Sequence, residues 1–270
     1  MIQAYAKVNL ALVVGPVRED GLHELTSVVQ RVDLADDLDL APAGEPSVEG
    51  FPEDTLVGAA LDAFAAETGR AFAATLAKRI PVAAGLGGGS ADAGAVLAAA
   101  NLELDEPVPR ARLAELAAGV GADVPFFLEP GPKLVEGAGE RLTPLDLPQG
   151  FWLVLALPNG AAKTSTGEVF ARYDEWNEGQ GYEARRTALL AALARCREPR
   201  DLALLPPNDL AGDPEPHELG EALREAGAFR ADMSGAGPAV YGLFERREEA
   251  ELAALAVEPS ARVWALRPVW

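Results

Sequence analysis

Cysteine and histidine are scarce in this sequence of 270 residues, which contains one cysteine, Cys196, and two histidines. A single cysteine cannot form an intramolecular disulfide or a thiolate metal cluster. One cysteine and two histidines that lie far apart in the sequence also cannot supply the ligands of a zinc site. The sequence therefore predicts no resident metal ion. We expect Cys196 to be a half-buried residue of a helix and His217 to lie on the surface.

Long apolar runs are also missing. No stretch approaches the roughly 18 consecutive apolar residues that a membrane-spanning helix needs. The N-terminal segment lacks the basic start, the uninterrupted apolar region and the small-residue cleavage site of a signal peptide. We therefore expect a cytoplasmic protein with no membrane partner. The hydrophobic fraction of 49% is enough to form real cores, and 270 residues are enough for two domains of ordinary size.

Basic residues are few compared with acidic ones. The chain has 23 lysines and arginines against 42 aspartates and glutamates, which gives a formal net charge of −19. This balance argues against a nucleic-acid partner, because phosphate backbones are bound through clustered Lys and Arg. An anionic small molecule would have to be attracted by local groups, such as backbone N–H groups and the N-terminus of a helix. The oligomeric state stays open.

Hydrophobic patterning predicts strands that alternate with helices, which indicates a two-layer arrangement of helices and sheet. Asp54 and Gly69 are expected to cap the two ends of the first helix. The polar, turn-rich stretch 144–150 predicts a boundary between domains 1–148 and 149–270. The predicted strands are 4–14, 23–34, 72–80, 151–157, 228–233, 238–244 and 261–267, the further helices are 91–102, 111–118, 182–195, 216–226 and 246–256, and 197–215 is expected to be an ordered connector.

A glycine-rich loop, Gly85-Leu86-Gly87-Gly88-Gly89-Ser90, lies between a predicted strand and a predicted helix. Glycines permit positive φ angles and let the backbone approach a ligand closely. Ser90 is expected to be the N-cap of the helix, or to face a phosphate or a metal ion. The helix N-terminus adds a partial positive charge and unpaired N–H donors. This combination predicts an anion-binding site, although a flexible turn that only allows close packing is an alternative.

Two familiar phosphate-binding patterns do not fit this loop. A Walker loop requires a lysine immediately before the Ser or Thr, and Gly89 stands there. A dinucleotide-binding fingerprint that starts at Gly85 requires a glycine where Ser90 stands. The loop therefore indicates a phosphate site of another kind.

Two further segments accompany this loop. Near the N-terminus, Ala6-Lys7-Val8-Asn9-Leu10 is followed by the segment 18–25, which reads Arg-Glu-Asp-Gly-Leu-His-Glu-Leu. Lys7 and Asn9 are two residues apart on a predicted strand, so their side chains share one face. Near the C-terminus, 233–240 reads Met-Ser-Gly-Ala-Gly-Pro-Ala-Val and predicts a glycine turn between two strands.

Together the three segments resemble the three motifs of the GHMP kinases, in the right order and over nearly the whole chain. The resemblance implies an α+β fold of two domains, with an N-terminal ribosomal-protein-like α/β domain, a C-terminal ferredoxin-like α/β sandwich and the active site in the cleft between them. The segments 18–25, 121–127, 137–140 and 163–170 resemble one branch of that family, which phosphorylates a cytidine-diphosphate-linked methylerythritol in non-mevalonate isoprenoid synthesis.

The resemblance also implies roles for single residues. Asp123 would be the catalytic base, and Lys7 would pair with it. ATP would be the phosphoryl donor, with Mg²⁺ arriving on it. The residues implied for ATP are Pro81, Ala83, Gly85, Leu86, Gly87, Gly88, Gly89, Ser90 and Ala91, and those implied for the small-molecule cytidine-diphosphate substrate are Asn9, Leu22, His23, Thr166 and Gly235.

Each of these roles has a plainer alternative. Asp123 could be an ordinary residue of a helix-terminal turn, Lys7 a solvated lysine of an edge strand, and His23 a structural histidine. Asp92 is expected to interact only with the helix dipole. Leu22 stands where this branch usually has tyrosine, so stacking on the cytosine ring should be weaker. Another kinase of the same family, or a non-catalytic nucleotide-binding relative, is an alternative function.

Overall fold

The structure is a computed structural model of the chain, and it describes residues 1–51, 54–161, 165–212 and 218–270. The residues form two compact units, which do not coincide with a single cut of the chain. Unit 1 contains Met1–Ala6, Leu34–Val82 and Gly87–Pro130, and unit 2 contains Lys7–Asp33, Ala83–Leu86 and Gly131–Trp270.

The strands and helices follow one another in an α+β order. The strands are β1 (Ile2–Val17), β2 (His23–Ala43), β3 (Ser47–Glu49), β4 (Ala71–Ala77), β5 (Lys133–Gly137), β6 (Arg141–Pro144), β7 (Trp152–Pro158), β8 (Arg230–Met233), β9 (Val240–Phe244), β10 (Ala261–Leu266) and β11 (Pro268–Val269). The helices are α1 (Thr55–Thr68), α2 (Gly88–Leu102), α3 (Arg110–Val120), α4 (Val124–Phe127), α5 (Thr166–Trp176), α6 (Tyr182–Leu193), α7 (Glu218–Glu225) and α8 (Arg247–Val257).

In unit 1, helices α1 to α4 accompany a small part of sheet. Strand β4 pairs antiparallel with the second half of β2 and parallel with β3. Helix α1 begins at the predicted cap, because the Asp54 carboxylate accepts hydrogen bonds from the N–H groups of Leu56 and Val57 at 3.2 Å. It ends at Gly69, whose φ of +68° is the left-handed conformation of a C-cap. Both predicted caps are confirmed.

Helices α2 and α4 of unit 1 approach each other closely. A Cβ atom added to Gly94 of α2 would lie 2.6 Å from the Cβ of Phe127, so only glycine fits at this crossing. Val96 and Leu97 of α2 and Phe126 of α4 are almost fully buried. The helix that follows the glycine loop is therefore anchored in the core of its own unit.

One prediction about helix α2 is wrong. The helix begins at Gly88 with Gly87 as its N-cap, whereas the sequence predicted a start at Ala91 with Ser90 as the cap. Gly87 has a φ of +67°, and this left-handed residue turns the chain into the helix three residues earlier than expected. Ser90 is therefore the third residue of the helix, and the N-terminus carries no side-chain cap.

In unit 2, a four-stranded antiparallel sheet has the order β10-β7-β9-β8. Helices α7 and α8 bury their apolar faces with this sheet in one core, which includes Leu223, Ala253, Val154 and Phe244. In the same unit, the first half of β2 pairs with β5, and β5 pairs with β6. The C-terminal strand β11 lies along β2, with Pro268 opposite Val32.

Helix α5 in unit 2 was not predicted. Its signal was present, because Ser165 and Glu168 form a capping box: the serine hydroxyl accepts from the Glu168 N–H at 3.2 Å, and the Glu168 carboxylate accepts from the Ser165 N–H at 2.8 Å. An exposed, mostly polar helix is easily missed when apolar periodicity guides the prediction. The strands β3, β5 and β6 were also missed, because runs of three to five residues are too short to show a clear period.

The connector after α6 is ordered in its described part, as predicted, and contains short 3₁₀ helices at Pro199–Leu204 and Asp209–Ala211. Cys196 is buried there, outside any helix, which corrects its expected helical position. The prediction for His217 falls outside the described residues. The predicted domain boundary at 148/149 falls inside unit 2. The two compact units are each made of several chain segments, whereas the predicted domains are two continuous ones, so the boundary stays a prediction. In the described ranges, none of the helices is long and apolar enough to cross a bilayer.

Candidate active site

Lys7 and Asn9 lie side by side on β1, as their spacing predicted. The Lys7 ammonium donates to the Asn9 Oδ1 atom at 2.6 Å. The Asn9 amide nitrogen donates in turn to the Ser27 hydroxyl at 2.9 Å, and that hydroxyl donates to the carbonyl of Ala11 at 2.7 Å. Lys7 and Asn9 are each only 6% exposed. Burial excludes the interpretation of Lys7 as a solvated edge-strand lysine.

Ser234 joins this strand to the glycine loop within unit 2. Its hydroxyl donates to the carbonyl of Gly85 at 2.9 Å and accepts from the backbone N–H of Asn9 at 3.4 Å. The backbone N–H of Lys7 donates to the carbonyl of Leu86 at 3.0 Å. Both carbonyls at the start of the loop therefore accept hydrogen bonds from the protein, which partly offsets the negative charge that they would present to an anion.

The turn that begins at Ser234 also approaches the lysine. A Cβ atom added to Gly235 would lie 3.3 Å from the Lys7 Nζ and from the Asn9 Oδ1, so the Gly235 backbone lies directly beside these polar groups. Gly235 has a φ of +56°. In unit 2, the structure thus brings together Lys7, Asn9, Gly235 and the first residues of the glycine loop.

The loop itself has two glycines with the positive φ angles that its sequence predicted. Gly85 has a φ of +79°, and a Cβ atom there would lie 2.1 Å from the Ser234 carbonyl oxygen. Gly87 has a φ of +67°. Ala83, in the same loop, also adopts a left-handed φ of +55°, which is strained for a residue with a side chain. Such strain is typical of ligand-binding segments.

The second half of the loop is the start of helix α2 in unit 1. The first N–H groups of a helix have no intrahelical acceptor and carry the positive end of its dipole, so those of Gly88, Gly89 and Ser90 suit a phosphate. Pro81 and Ser90 are half-buried. The N–H of Ala91 donates to the Gly87 carbonyl at 2.8 Å, so the helix itself uses this donor.

Asp123 is the N-cap residue of α4 in unit 1, where an ordinary structural aspartate would also stand. Its side chain, however, does not cap the helix, and the residue is exposed. The carboxylate is therefore not used in the role that the plainer interpretation gives it. Lys7 belongs to unit 2 and Asp123 to unit 1. Their pairing as catalytic residues stays a prediction.

His23 lies in a polar and aromatic environment within unit 2. Its Nδ1 atom is 2.9 Å from the carbonyl oxygen of Gly15, so this nitrogen carries the proton and donates. Its Nε2 atom is 3.4 Å from a carboxylate oxygen of Asp174. The ring stacks on Phe170 with the ring centroids 4.8 Å apart. Leu22 beside it is 51% exposed, so this position is open to a ligand.

Phe170 and Asp174 were not predicted as candidate site residues. They lie one turn apart on α5, which places both on the face that meets His23. Because this helix was not predicted, the spacing of the two residues carried no signal. Thr166 is the first residue of the same helix and is exposed, whereas the Ser165 side chain is used in the cap.

A buried charge cluster in unit 1 also escaped prediction. The Lys78 ammonium donates to the Asp36 carboxylate at 2.6 Å and to the Asp92 carboxylate at 2.5 Å, and lies 3.9 Å from an Asp54 oxygen. Asp36 and Asp92 are fully buried. The expectation that Asp92 interacts only with the helix dipole is therefore wrong, because its side chain points into the unit and accepts a hydrogen bond from Lys78.

Two members of this cluster, Asp92 and Lys78, have shifted pKa values, and burial is the largest cause for Asp92. It raises the pKa of Asp92 to about 8, although the Lys78 ammonium opposes the shift. The second oxygen of Asp92 has no hydrogen-bond partner among the described residues, so Lys78 alone offsets its desolvation. Burial alone would lower the pKa of Lys78, but the hydrogen bonds to Asp36 and Asp92 outweigh it and raise that pKa.

Replacing Asp92 by asparagine should flatten the pH dependence of stability. The pKa of Asp92 is raised from 3.8 to about 8 on folding, so its contribution to stability is complete below the lower value and is lost as the pH rises through the upper one. One such group contributes a slope of at most about 1.4 kcal/mol per pH unit. Denaturant unfolding at several pH values across this window measures both slopes. Equal slopes for the two proteins would contradict a raised pKa.

Comparisons with known proteins agree with this geometry. Residues 55–131 match the family description "GHMP kinases N terminal domain", and residues 211–261 match "GHMP kinases C terminal". A 4-diphosphocytidyl-2-C-methyl-D-erythritol kinase from Anaeromyxobacter sp. (strain Fw109-5) is 42% identical over 264 residues, which cover 93% of this chain and 84% of the relative.

Solved structures are similar as well. A crystal structure of a 4-(cytidine 5'-diphospho)-2C-methyl-D-erythritol kinase superposes with a TM-score of 0.80 at 35% identity, covering 99% of this chain and 98% of that one. A homoserine kinase from Cytophaga hutchinsonii superposes with a TM-score of 0.73 at 16% identity, covering 98% and 95% of the two chains. At that low identity, the second similarity concerns the fold alone.

Proposed function

This chain belongs to the GHMP kinases, within them to the 4-diphosphocytidyl-2-C-methyl-D-erythritol kinases, and we propose that it transfers the γ-phosphoryl group of ATP to the 2-hydroxyl of that cytidine-diphosphate substrate. The observation that carries the proposal is the 42% identity to a relative of that name over 93% of the chain. The hydrogen bonds that join Lys7, Asn9, Ser234 and Gly85 support it, because they connect a polar strand face to a phosphate-type loop.

ATP would be held by the glycine loop. No lysine stands in the segment 85–90, so backbone N–H groups and the dipole of α2 would attract the phosphates against the net charge of −19. The engaged carbonyls of Gly85 and Leu86 keep negative oxygen atoms away from the phosphates. Phosphoryl transfer needs mainly positioning and charge stabilisation, which rigid backbone donors provide.

Asp123 would accept the proton of the attacking hydroxyl, and Lys7 would offset negative charge on the transferred group. Asn9 accepts a hydrogen bond from the Lys7 ammonium and so fixes its direction. A buried lysine whose position is fixed in this way can stabilise charge that develops during the reaction without reorganising.

Mg²⁺ would arrive with ATP. In the described part of the chain, no group of three or more His, Cys, Asp or Glu side chains could hold a metal ion. Mg²⁺ usually keeps several water ligands and binds through substrate phosphates with one or two protein oxygens. The residues therefore fit an ion that the nucleotide carries, with the Ser90 hydroxyl as its protein ligand.

The cytidine end of the acceptor would meet His23 and Phe170. The Nδ1 proton of His23 is used on Gly15, and the edge of the cytosine ring would meet Nε2 in place of the Asp174 carboxylate, which lies 3.4 Å from that nitrogen. Phe170, stacked on the imidazole, offers an aromatic surface next to it. A small uncharged base could thus be recognised without any phosphate contact.

An ADP-release assay with a panel of acceptors tests the proposal. The panel contains 4-diphosphocytidyl-2-C-methyl-D-erythritol, mevalonate, phosphomevalonate and homoserine. We expect release with the first acceptor only. Release with another acceptor would point to a different kinase of the family, and no release with any of them would favour a non-catalytic nucleotide-binding relative.

Replacing Leu22 by tyrosine should tighten binding of the cytidine acceptor. A ring at this exposed position can stack on the cytosine, and aromatic pairs contribute about 0.5–1.5 kcal/mol, or roughly a 2- to 10-fold lower KM. The KM for ATP should not change. Leu102→Tyr is the matched control, because Leu102 is exposed at the end of α2. An unchanged acceptor KM in Leu22→Tyr would remove Leu22 from the substrate site.

A further inference from the structure

One buried lysine is bonded to residues on both sides of the glycine loop. Lys78 directly follows strand β4 and precedes the loop, and Asp92 is the fifth residue of helix α2, which follows the loop. Their side chains are joined by a hydrogen bond of 2.5 Å within unit 1. The chain from 79 to 91 is thus closed into a ring by one side-chain contact.

The strand end is fixed independently on the other side of the lysine. The Asp36 carboxylate accepts from the Lys78 ammonium at 2.6 Å and from the backbone N–H of Ile80 at 2.8 Å. It also accepts from the backbone N–H of Arg79. Lys78 is therefore not a mobile surface charge. Its hydrogen bond to Asp92 fixes the start of α2 relative to β2 and β4.

The first residues of α2 pack against the cluster of Lys78, Asp36, Asp54 and Asp92. A Cβ atom added to Gly88 would lie 3.1 Å from the Ile80 side chain and 3.5 Å from the Lys78 Nζ. A Cβ atom added to Gly89 would lie 3.6 Å from both carboxylate oxygens of Asp54. The backbone whose N–H groups would face phosphate thus lies directly against the charged side chains on its inner side.

Stability alone does not explain such a cluster. Buried ion pairs contribute little more than well-packed apolar residues of similar volume, and often less. Asp92 is fully buried, and one of its oxygens has no partner in the described residues, which adds a desolvation penalty. A directed hydrogen bond, however, fixes a position and an orientation that an apolar contact does not.

We infer that Lys78 and Asp92 are positioning residues for the nucleotide, because their hydrogen bond holds the first turn of α2 in the arrangement that presents its N–H groups to the phosphates of ATP. The inference rests on the proposed function, which places ATP at the glycine loop. Neither side chain needs to touch the nucleotide. Losing the bond should therefore affect ATP binding more than the acceptor or the chemical step.

Steady-state kinetics of Asp92→Ala and Asp92→Asn test the inference. Asp92→Ala removes the acceptor of the Lys78 hydrogen bond and should raise the KM for ATP at least about 10-fold, with kcat and the acceptor KM changed less than about 2-fold. Asp92→Asn keeps an oxygen that can accept this bond, so it should restore most of the ATP affinity at neutral pH.

Arg79→Met is the matched control. Arg79 is the next residue of the same strand end, but its side chain is 61% exposed and pairs with Asp37 at the surface. The substitution keeps the backbone N–H that Asp36 accepts. Its KM for ATP should equal that of the wild type.

The outcomes separate this inference from the proposed function. A wild type that releases no ADP with the cytidine acceptor contradicts the proposed function. If the wild type is active and the KM for ATP is unchanged in Asp92→Ala, the inference alone is contradicted. It is also contradicted if Asp92→Ala raises the KM for ATP and the KM for the acceptor equally and Asp92→Asn does not restore them. If thermal melting shows that Asp92→Ala is unfolded, Lys78→Met decides, because it removes the donor of the same hydrogen bond: an unchanged KM for ATP in folded Lys78→Met overturns the inference.

Discussion

Asp123→Asn should lower kcat by about 10²–10⁴-fold, the range typical of a lost general base. Asparagine has the shape of aspartate but cannot accept the proton of the attacking hydroxyl. Since the Asp123 side chain does not cap helix α4, its replacement removes no helix-capping hydrogen bond. The KM for ATP should stay close to that of the wild type, and the variant should still unfold in one cooperative thermal transition.

The kinetic experiment needs a control of equal charge change. Asp105→Asn provides it, because Asp105 is an exposed residue of the same unit, in the segment between α2 and α3. Its kcat should equal that of the wild type. Near-wild-type turnover of purified, folded Asp123→Asn would remove Asp123 from the catalytic role and leave charge stabilisation by Lys7 and the loop as the main catalytic contribution.

Local sequence signals predicted the parts of this fold that short-range chemistry determines. Helix α1 has a strong cap residue, Asp54, and a terminal Gly69, and both work as expected. The alternation of Lys7 and Asn9 placed both side chains on one face of a strand. These features depend on φ preferences and on hydrogen bonds between residues close in sequence.

The errors have a different physical cause. Ser90 is a good N-cap by composition, but the left-handed Gly87 starts the helix three residues earlier, and packing against Ile80 and Leu56 stabilises glycines inside the first turn. Tertiary contacts thus overrode the local preference. The Lys78 cluster joins residues 36, 54, 78 and 92. Periodicity in the sequence cannot predict contacts between residues that lie so far apart along the chain.

The acidic composition raises the question of how the protein attracts an anionic nucleotide. With a net charge of −19, attraction of a nucleotide has to come from local groups. In unit 2, the ammonium of Lys7 is kept buried and directed by Asn9, and in unit 1 the ammonium of Lys78 lies next to Gly88. Three carboxylates surround Lys78, so the positive contributions come from the Lys7 ammonium in unit 2 and, separately, from the dipole of helix α2 in unit 1.

Gly85→Ala should weaken both the fold and the binding of ATP. At a φ of +79° the alanine side chain costs about 1–2 kcal/mol relative to glycine. Its Cβ would stand 2.1 Å from the carbonyl oxygen of Ser234, so the loop or the turn has to move. Overpacking of this kind typically adds about 1–3 kcal/mol. We expect a loss of about 2–5 kcal/mol in the free energy of unfolding, measured by denaturant titration.

The movement of the loop in Gly85→Ala should also weaken nucleotide binding. The Ser234 hydroxyl bonds to both Gly85 and Asn9, so moving Gly85 disturbs the hydrogen bonds that hold the loop against β1. Below the melting temperature, the KM for ATP of Gly85→Ala should rise at least about 10-fold. Gly119→Ala is the control, since a Cβ there meets nothing within 4 Å and helix α3 should gain up to about 1 kcal/mol. A Gly85→Ala protein with the stability and ATP affinity of the wild type would show that the loop reaches phosphate in a different backbone conformation. The left-handed turn at Gly85 would then have no part in holding the nucleotide.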